Sequence, residues 1–138
     1  MINFSVQAEG FRLSNPKKIK DWLNTSIQTE GKTTGDINYI FCDDVYLSEI
    51  NSKYLKHNTL TDIITFSNSN QPSIISGDIF MSVERVSDNA QSLSLPFEKE
   101  LSRVIIHGVL HLIGYNDHTA EEKQQMRAKE DYYLHLQS

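Results

Sequence analysis

The stretch LSRVIIHGVLHLIGYNDH, residues 101–118, decides how the rest of the chain is read. Its apolar residues Leu101, Val104, Ile105, Ile106, Val109, Leu110, Leu112 and Ile113 cover nearly every side of a helix, so the segment predicts a buried spine rather than an amphipathic surface helix. Pro96 or Phe97 opens that helix, and Gly114 ends it as a left-handed C-terminal cap would. Polar residues on such a spine require a reason for being there. His107 and His111 are one turn apart on a single face, with Cβ atoms about 5–6 Å apart. Both imidazoles can therefore reach one ion at the ~2.0–2.1 Å typical of zinc–nitrogen bonds. The break at Gly114 lets the chain turn back and present a third ligand, either Asp117 or His118. Three protein ligands leave one position for water, whose acidity the ion raises until hydroxide is available near neutral pH. The pattern predicts a metal-dependent hydrolase. A zinc protease would carry glutamate directly after the first histidine as general base, and here that place is Gly108.

Outward from the spine, residues 2–7 alternate Ile2, Phe4 and Val6 with polar neighbours, the two-residue period of a half-buried strand. Asn15-Pro16 supplies a helix cap with proline in the first turn, and Ile19, Trp22, Leu23 and Ile27 follow at helical spacing until Gly31. Lys17, Lys18 and Lys20 form that helix's solvated face. Residues 36–43 read as a strand covered on both faces, and a helix starting at Asp43 or Asp44 buries Val45, Leu47, Ile50, Tyr54 and Leu55 as far as Lys56-His57-Asn58. Thr61–Phe66 and Ile74–Val83 are β-branched and aromatic strand candidates joined by the polar connector Ser67–Ser73. Ser82–Leu93 is helical, and Thr119 with Glu122 forms a capping box for a last helix reaching about Leu136. Tyr132 and Tyr133 pack that helix, and His135 lies on its surface.

The 138 residues suit one α+β domain, 1–138, of about four strands with helices, since domains commonly run to roughly 100–150 residues. A net charge of −5 excludes a protein that coats nucleic acid through a basic field, so any RNA contact is local or partner-assisted. The single cysteine, Cys42, has no intrachain partner and reads as a small buried thiol. The first ten residues lack a basic segment followed by a long apolar one, and no stretch nears the roughly 18 apolar residues of a membrane span. Cytoplasmic residence and no membrane partner are the expectation.

The run from His107 to His118 closely resembles the signature of the YbeY family of bacterial endoribonucleases. Thr61-Asp62-Ile63-Ile64-Thr65-Phe66 is similar to the family's Thr-Asp-Val-Leu-Ser-Phe segment, and Gly77-Asp78-Ile79-Phe80-Met81-Ser82 to its Gly-Asp-Ile strand. The resemblance covers most of the chain from about Asp36 onward. It implies a small mixed sheet flanked by helices, a bound zinc ion and a metal-dependent endonuclease of single-stranded RNA. It further implies work in ribosomal RNA maturation, notably at the 3′ end of the small-subunit RNA, and in ribosome quality control, with ribosomal RNA or ribosome-associated proteins as partners.

Two departures from the family pattern bear on the site. The motif usually reads Gly-Tyr-Asp-His, whereas Asn116 makes this stretch one residue longer; His118 is taken as third ligand with Asp117 its competitor, or else Asp117 orients a ligand histidine. Where the family usually carries arginine, able to clamp phosphate bidentately, this chain has Leu55 after Tyr54, and Lys56 and His57 are the candidates to replace it. Arg103, four residues before His107, either stands near phosphate or pairs with Glu100 or a strand residue. Two other classes remain open: a non-catalytic ribosome-associated factor whose metal is structural, and a metal-dependent amidase or peptidase.

Overall fold

Alternating apolar residues need a partner surface, and the computed structural model, which describes residues 1–55 and 61–137 with Leu55 by its backbone alone, shows what provides it. In chain order the elements are β1 (Ile2–Val6), α1 (Pro16–Thr29), β2 (Thr33–Cys42), α2 (Asp44–Ile50), a π-helical turn (Asn51–Leu55), β3 (Ile63–Ser67), β4 (Ile74–Ser82), α3 (Val83–Ser92), α4 (Phe97–Ile113) and α5 (Ala120–Leu136). The strands form one mixed sheet in the order β1-β2-β4-β3, with β1, β2 and β4 parallel and β3 antiparallel to β4 at an edge. Register sets Val6, Phe41, Met81 and Ile63 in one row and Phe4, Tyr39, Ile79 and Thr65 in the next, all on one face.

That face receives α4. Leu101, Val104, Ile105, Ile106, Val109 and Leu110 are buried among Tyr39, Phe41, Ile79 and Met81, as the spine reading requires. Each such side chain contributes about 1.5–3 kcal/mol by leaving water. The Tyr39 hydroxyl, buried with the rest, donates to the Ile105 carbonyl at 2.7 Å and so fixes the helix over β2. Helix and sheet approach closely at Gly108: a Cβ there would stand 2.9 Å from Ile63 Cδ1 and 3.0 Å from Ile79 Cγ2. The opposite face carries a smaller cluster of Cys42, Leu47 and Ile64 under α2. Burial first, then the charges of Asp43 and Asp44, pushes the Cys42 thiol up to about 12, consistent with a packing role.

Several local expectations need correction. Asn15 occupies the cap position of α1 in the left-handed region (φ 52°), but its side chain makes no capping bond there. β2 begins at Thr33, three residues before the expected Asp36, because its pairing with β4 continues past an irregularity to Thr33↔Ile74. Of the apolar positions Val45, Leu47, Ile50 and Tyr54 read after Asp43, only Leu47 is buried; Val45 and Tyr54 lie exposed, since α2 stops at Ile50 and the wider π turn carries Tyr54 outward, and the fifth, Leu55, falls outside the described side chains. Tyr133 packs α5, its carbonyl accepting from Trp22 Nε1 at 2.8 Å, whereas Tyr132 stays half exposed. Among the described residues no helix is long and apolar enough to cross a membrane.

Candidate metal centre

The last two turns of α4 carry His107 and His111 at the edge of a cleft of about 500 Å³, whose other wall is the start of β3 with Asn51. Their ring centroids are 4.5 Å apart. At Gly114, φ is 125°, a value that an L side chain adopts at a cost, and the reversal is secured by Tyr115 N–H donating to the Leu110 carbonyl at 3.0 Å. This brings Asp117 back over the helix. Its Oδ2 lies 3.4 Å from His107 Nε2 and 3.3 Å from His111 Nε2.

Those separations test whether an ion fits. Two ligand atoms each ~2.0–2.1 Å from a tetrahedral ion are about 3.3–3.4 Å apart. Two neutral imidazoles and a carboxylate are also a donor set suited to zinc. Among the described residues, His107, His111 and Asp117 form the one group of three whose ligating atoms all lie within 4.8 Å of one another. The residues fit the group.

Each histidine is held by its other nitrogen. His107 Nδ1 bonds to Glu130 Oε2 at 2.6 Å, and buried Glu130 also accepts from Arg103 at 2.9 Å. His111 Nδ1 faces the Tyr115 carbonyl at 3.0 Å. A carbonyl accepts only, so His111 Nδ1 carries the proton there, and Nε2 presents its lone pair to the cleft; the Glu130 carboxylate selects the same tautomer at His107. The Tyr115 ring is anchored in turn, its hydroxyl donating to Glu30 at 2.6 Å, while Lys129 at 3.1 Å and the Tyr133 hydroxyl bond the other Glu30 oxygen. The C-terminal end of α1 thus holds the turn that supplies Asp117.

The electrostatics differ between the two imidazoles. At His107 burial is the largest influence and acts downward, but the hydrogen bond and charge of Glu130, with Asp117 and Asp62, outweigh it and raise the pKa. At His111 burial and then the His107 charge lower it. Asp62 lines the same cleft, and burial raises its carboxyl above the ordinary value despite His107.

The sequence-derived residues separate as follows. His107, His111 and Asp117 converge. His118 lines the cleft but stands outside the ligand-distance group, with its backbone N–H donating to Glu122 at 3.2 Å. Arg103 lines a different groove, and its acidic partners are Glu130 and Asp131 (3.1 Å) on α5, not Glu100 or a strand residue. Lys56 and His57 lie outside the described residues. Sequence reasoning missed Glu130, Glu30 and Asp62 as site residues. Glu130 looks like one more charge on a helix of alternating charges, and Glu30 like the polar end of α1. Only Asp62 carried a signal, its place in the Thr-Asp segment next to a strand.

Comparison with known proteins agrees with this architecture. The family described as Endoribonuclease YbeY matches residues 3–137. The endoribonuclease YbeY of Flavobacterium johnsoniae is 53% identical over 131 residues, spanning 95% of this chain and 93% of that protein. That of Amoebophilus asiaticus is 49% identical over 133 residues, spanning 96% and 90%. The solution structure of TM1509 from Thermotoga maritima matches with a TM-score of 0.66 at 28% identity, covering 97% of this chain and 87% of that one. With the histidine pair, the mixed sheet and near full-length identity in agreement, this chain belongs to the YbeY endoribonuclease family.

Proposed function

We propose that this chain is a zinc-dependent endoribonuclease that cuts single-stranded RNA in the cytoplasm. Its work on this reading is the maturation of ribosomal RNA, at the 3′ end of the small-subunit RNA, together with ribosome quality control, and its partners are ribosomal RNA and ribosome-associated proteins. The observation that carries the reading is the pair of Nε2 atoms 3.4 and 3.3 Å from one Asp117 oxygen, at the mouth of an open cleft. A bound cation would supply an acidified water and stabilise charge developing on phosphate. His107 and His111 hold it, with Asp117 the third ligand that the geometry favours and His118 its competitor. Arg103 acts through Glu130, holding that carboxylate in place against His107 Nδ1. A cleft rather than a basic surface suits a chain of net charge −5, because one flexible strand can enter where a duplex cannot. A purely structural metal would be closed by a fourth protein ligand, and the described residues bring together three.

The test is metal content and cleavage of single-stranded RNA, duplex RNA and peptide by wild type, His111→Ala, Asp117→Ala and His118→Ala. The expected result is zinc-dependent cutting of single-stranded RNA alone, with zinc and cleavage lost together in His111→Ala and Asp117→Ala. Cleavage undiminished in His111→Ala would overturn the reading, and zinc lost in His118→Ala but kept in Asp117→Ala would exchange the third ligand.

A further inference from the structure

Sequence and site leave one chemical role unfilled. The position where a zinc protease carries its general base is Gly108, and the structure shows why no carboxylate stands there: Ile63 and Ile79 occupy the space. The same contact draws the start of β3 against α4 within the helical turn that separates the two histidines. The residue immediately before Ile63 therefore enters the cleft that His107 lines, from the opposite wall.

We propose that this residue, Asp62, is the catalytic carboxylate of the cleft, accepting the proton of the hydroxyl that attacks phosphorus; the proposal rests on the endoribonuclease reading. Asp62 lines the cleft together with His107, His111 and Asp117 but is not in the ligand-distance group, which leaves it available for a proton rather than an ion. Its backbone is fixed, the carbonyl accepting from Ser82 N–H at 3.0 Å. Its Oδ2 meets Asn89 Nδ2 of α3 at 3.4 Å, which tethers one oxygen. The ionisable groups around it are His107 and Glu100 from α4, Glu130 from α5 and Asp117 from the turn, one imidazole among acids. Burial in that company strengthens a carboxylate as a base, matching it to work nearer neutral pH.

The step balances without a further reagent. As the new oxygen–phosphorus bond forms, the proton of the attacking hydroxyl, of water or ribose, passes to an Asp62 oxygen. The phosphorus–oxygen bond to the departing ribose breaks, its electron pair stays on that oxygen, and solvent water protonates it. Asp62 then returns its proton to solvent.

Asp62→Asn, Asp62→Glu and Asn89→Ala are compared with wild type for zinc affinity by chelator competition, for thermal unfolding, and for kcat and KM on a single-stranded RNA. Asp62→Asn is expected to keep wild-type zinc affinity and KM while kcat falls about 10²- to 10⁴-fold, the range for a lost general base. Asp62→Glu should recover part of that loss and Asn89→Ala should cost less than Asp62→Asn. A kcat for zinc-loaded Asp62→Asn within about threefold of wild type would overturn the proposal, as would a fall in zinc affinity large enough to account for the lost activity. Should Asp62→Asn fail to fold, Asp62→Glu decides, since moving the carboxylate by one methylene leaves binding intact and must lower kcat. Absence of RNA cleavage by zinc-loaded wild type would sink the endoribonuclease reading and this proposal with it, whereas an active wild type beside an equally active Asp62→Asn sinks this proposal alone.

Discussion

Glu130→Gln removes one charge and keeps the shape, which isolates what the carboxylate does for His107. Glu130 is 6% exposed and accepts from His107 at 2.6 Å and from Arg103 at 2.9 Å. An amide offers one oxygen for two donors, and its NH₂ must then face either the guanidinium or the His107 N–H. Loss of a carboxylate that orients a ligand histidine weakens metal affinity about 10- to 100-fold, or about 1.4–2.8 kcal/mol. Breaking a buried ion pair costs about 3–5 kcal/mol, but Arg103 keeps Asp131 at 3.1 Å and the amide oxygen retains one bond, so about 2–3 kcal/mol is expected for the metal-free fold. At about 2.1 cal/mol/K per residue for a chain of 138 residues, that is a Tm lower by about 7–10 °C. Chelator competition reads the affinity, and thermal unfolding of the metal-free protein reads the stability. Unchanged zinc affinity beside a lowered Tm would refute the reasoning, for it would make Glu130 a partner of Arg103 and nothing to His107.

Gly108→Glu would recreate the spacing of a zinc protease, yet the side chain must displace Ile63 and Ile79 atoms 2.9–3.2 Å from its Cβ and bury a charge. A loss of at least about 3 kcal/mol in denaturant unfolding, with no peptidase gained, is expected, and wild-type stability would contradict the packing argument. At Glu30 burial is the largest influence and acts upward, but the bonds from Tyr115, Tyr133 and Lys129 together hold the carboxyl below its ordinary 4.5. A depressed folded-state value contributes stability that is full above pH 4.5 and fades as pH falls through the lower folded value. The Tm gap between wild type and Glu30→Gln should therefore be constant from about pH 6 to 8 and narrow below about 4.5; a gap that widens in acid would reverse the assigned sign.

Much of the site was legible because its determinants are local. Four residues are one helical turn wherever a helix forms, so His107 and His111 share a face before any tertiary contact exists. Gly114 and the Thr119–Glu122 capping box mark the turn and the next helix by short-range hydrogen bonding, and both are present in the structure. The apolar circumference of residues 101–113 called for burial, which the sheet and the other helices give from Leu101 to Leu110, whereas Leu112 and Ile113 near the helix end are only partly covered. The exposed Val45 and Tyr54 show the limit of such patterns: periodicity names an apolar stripe, but only the path of the chain decides whether anything covers it.

What tertiary structure alone decided is which distant groups meet. That Asp117 rather than His118 lies within ligand distance of both histidines depends on how far the reversed chain reaches, and Tyr115 in that turn is bonded to Glu30, 85 residues earlier. Glu130 meets His107 because α5 docks on α4, and Asp62 reaches the cleft because β3 pairs antiparallel to β4 at the edge facing Gly108. Local sequence sets which side of each element a residue occupies. The distance between elements is set by side-chain volumes packed between them, here including the missing side chain at Gly108.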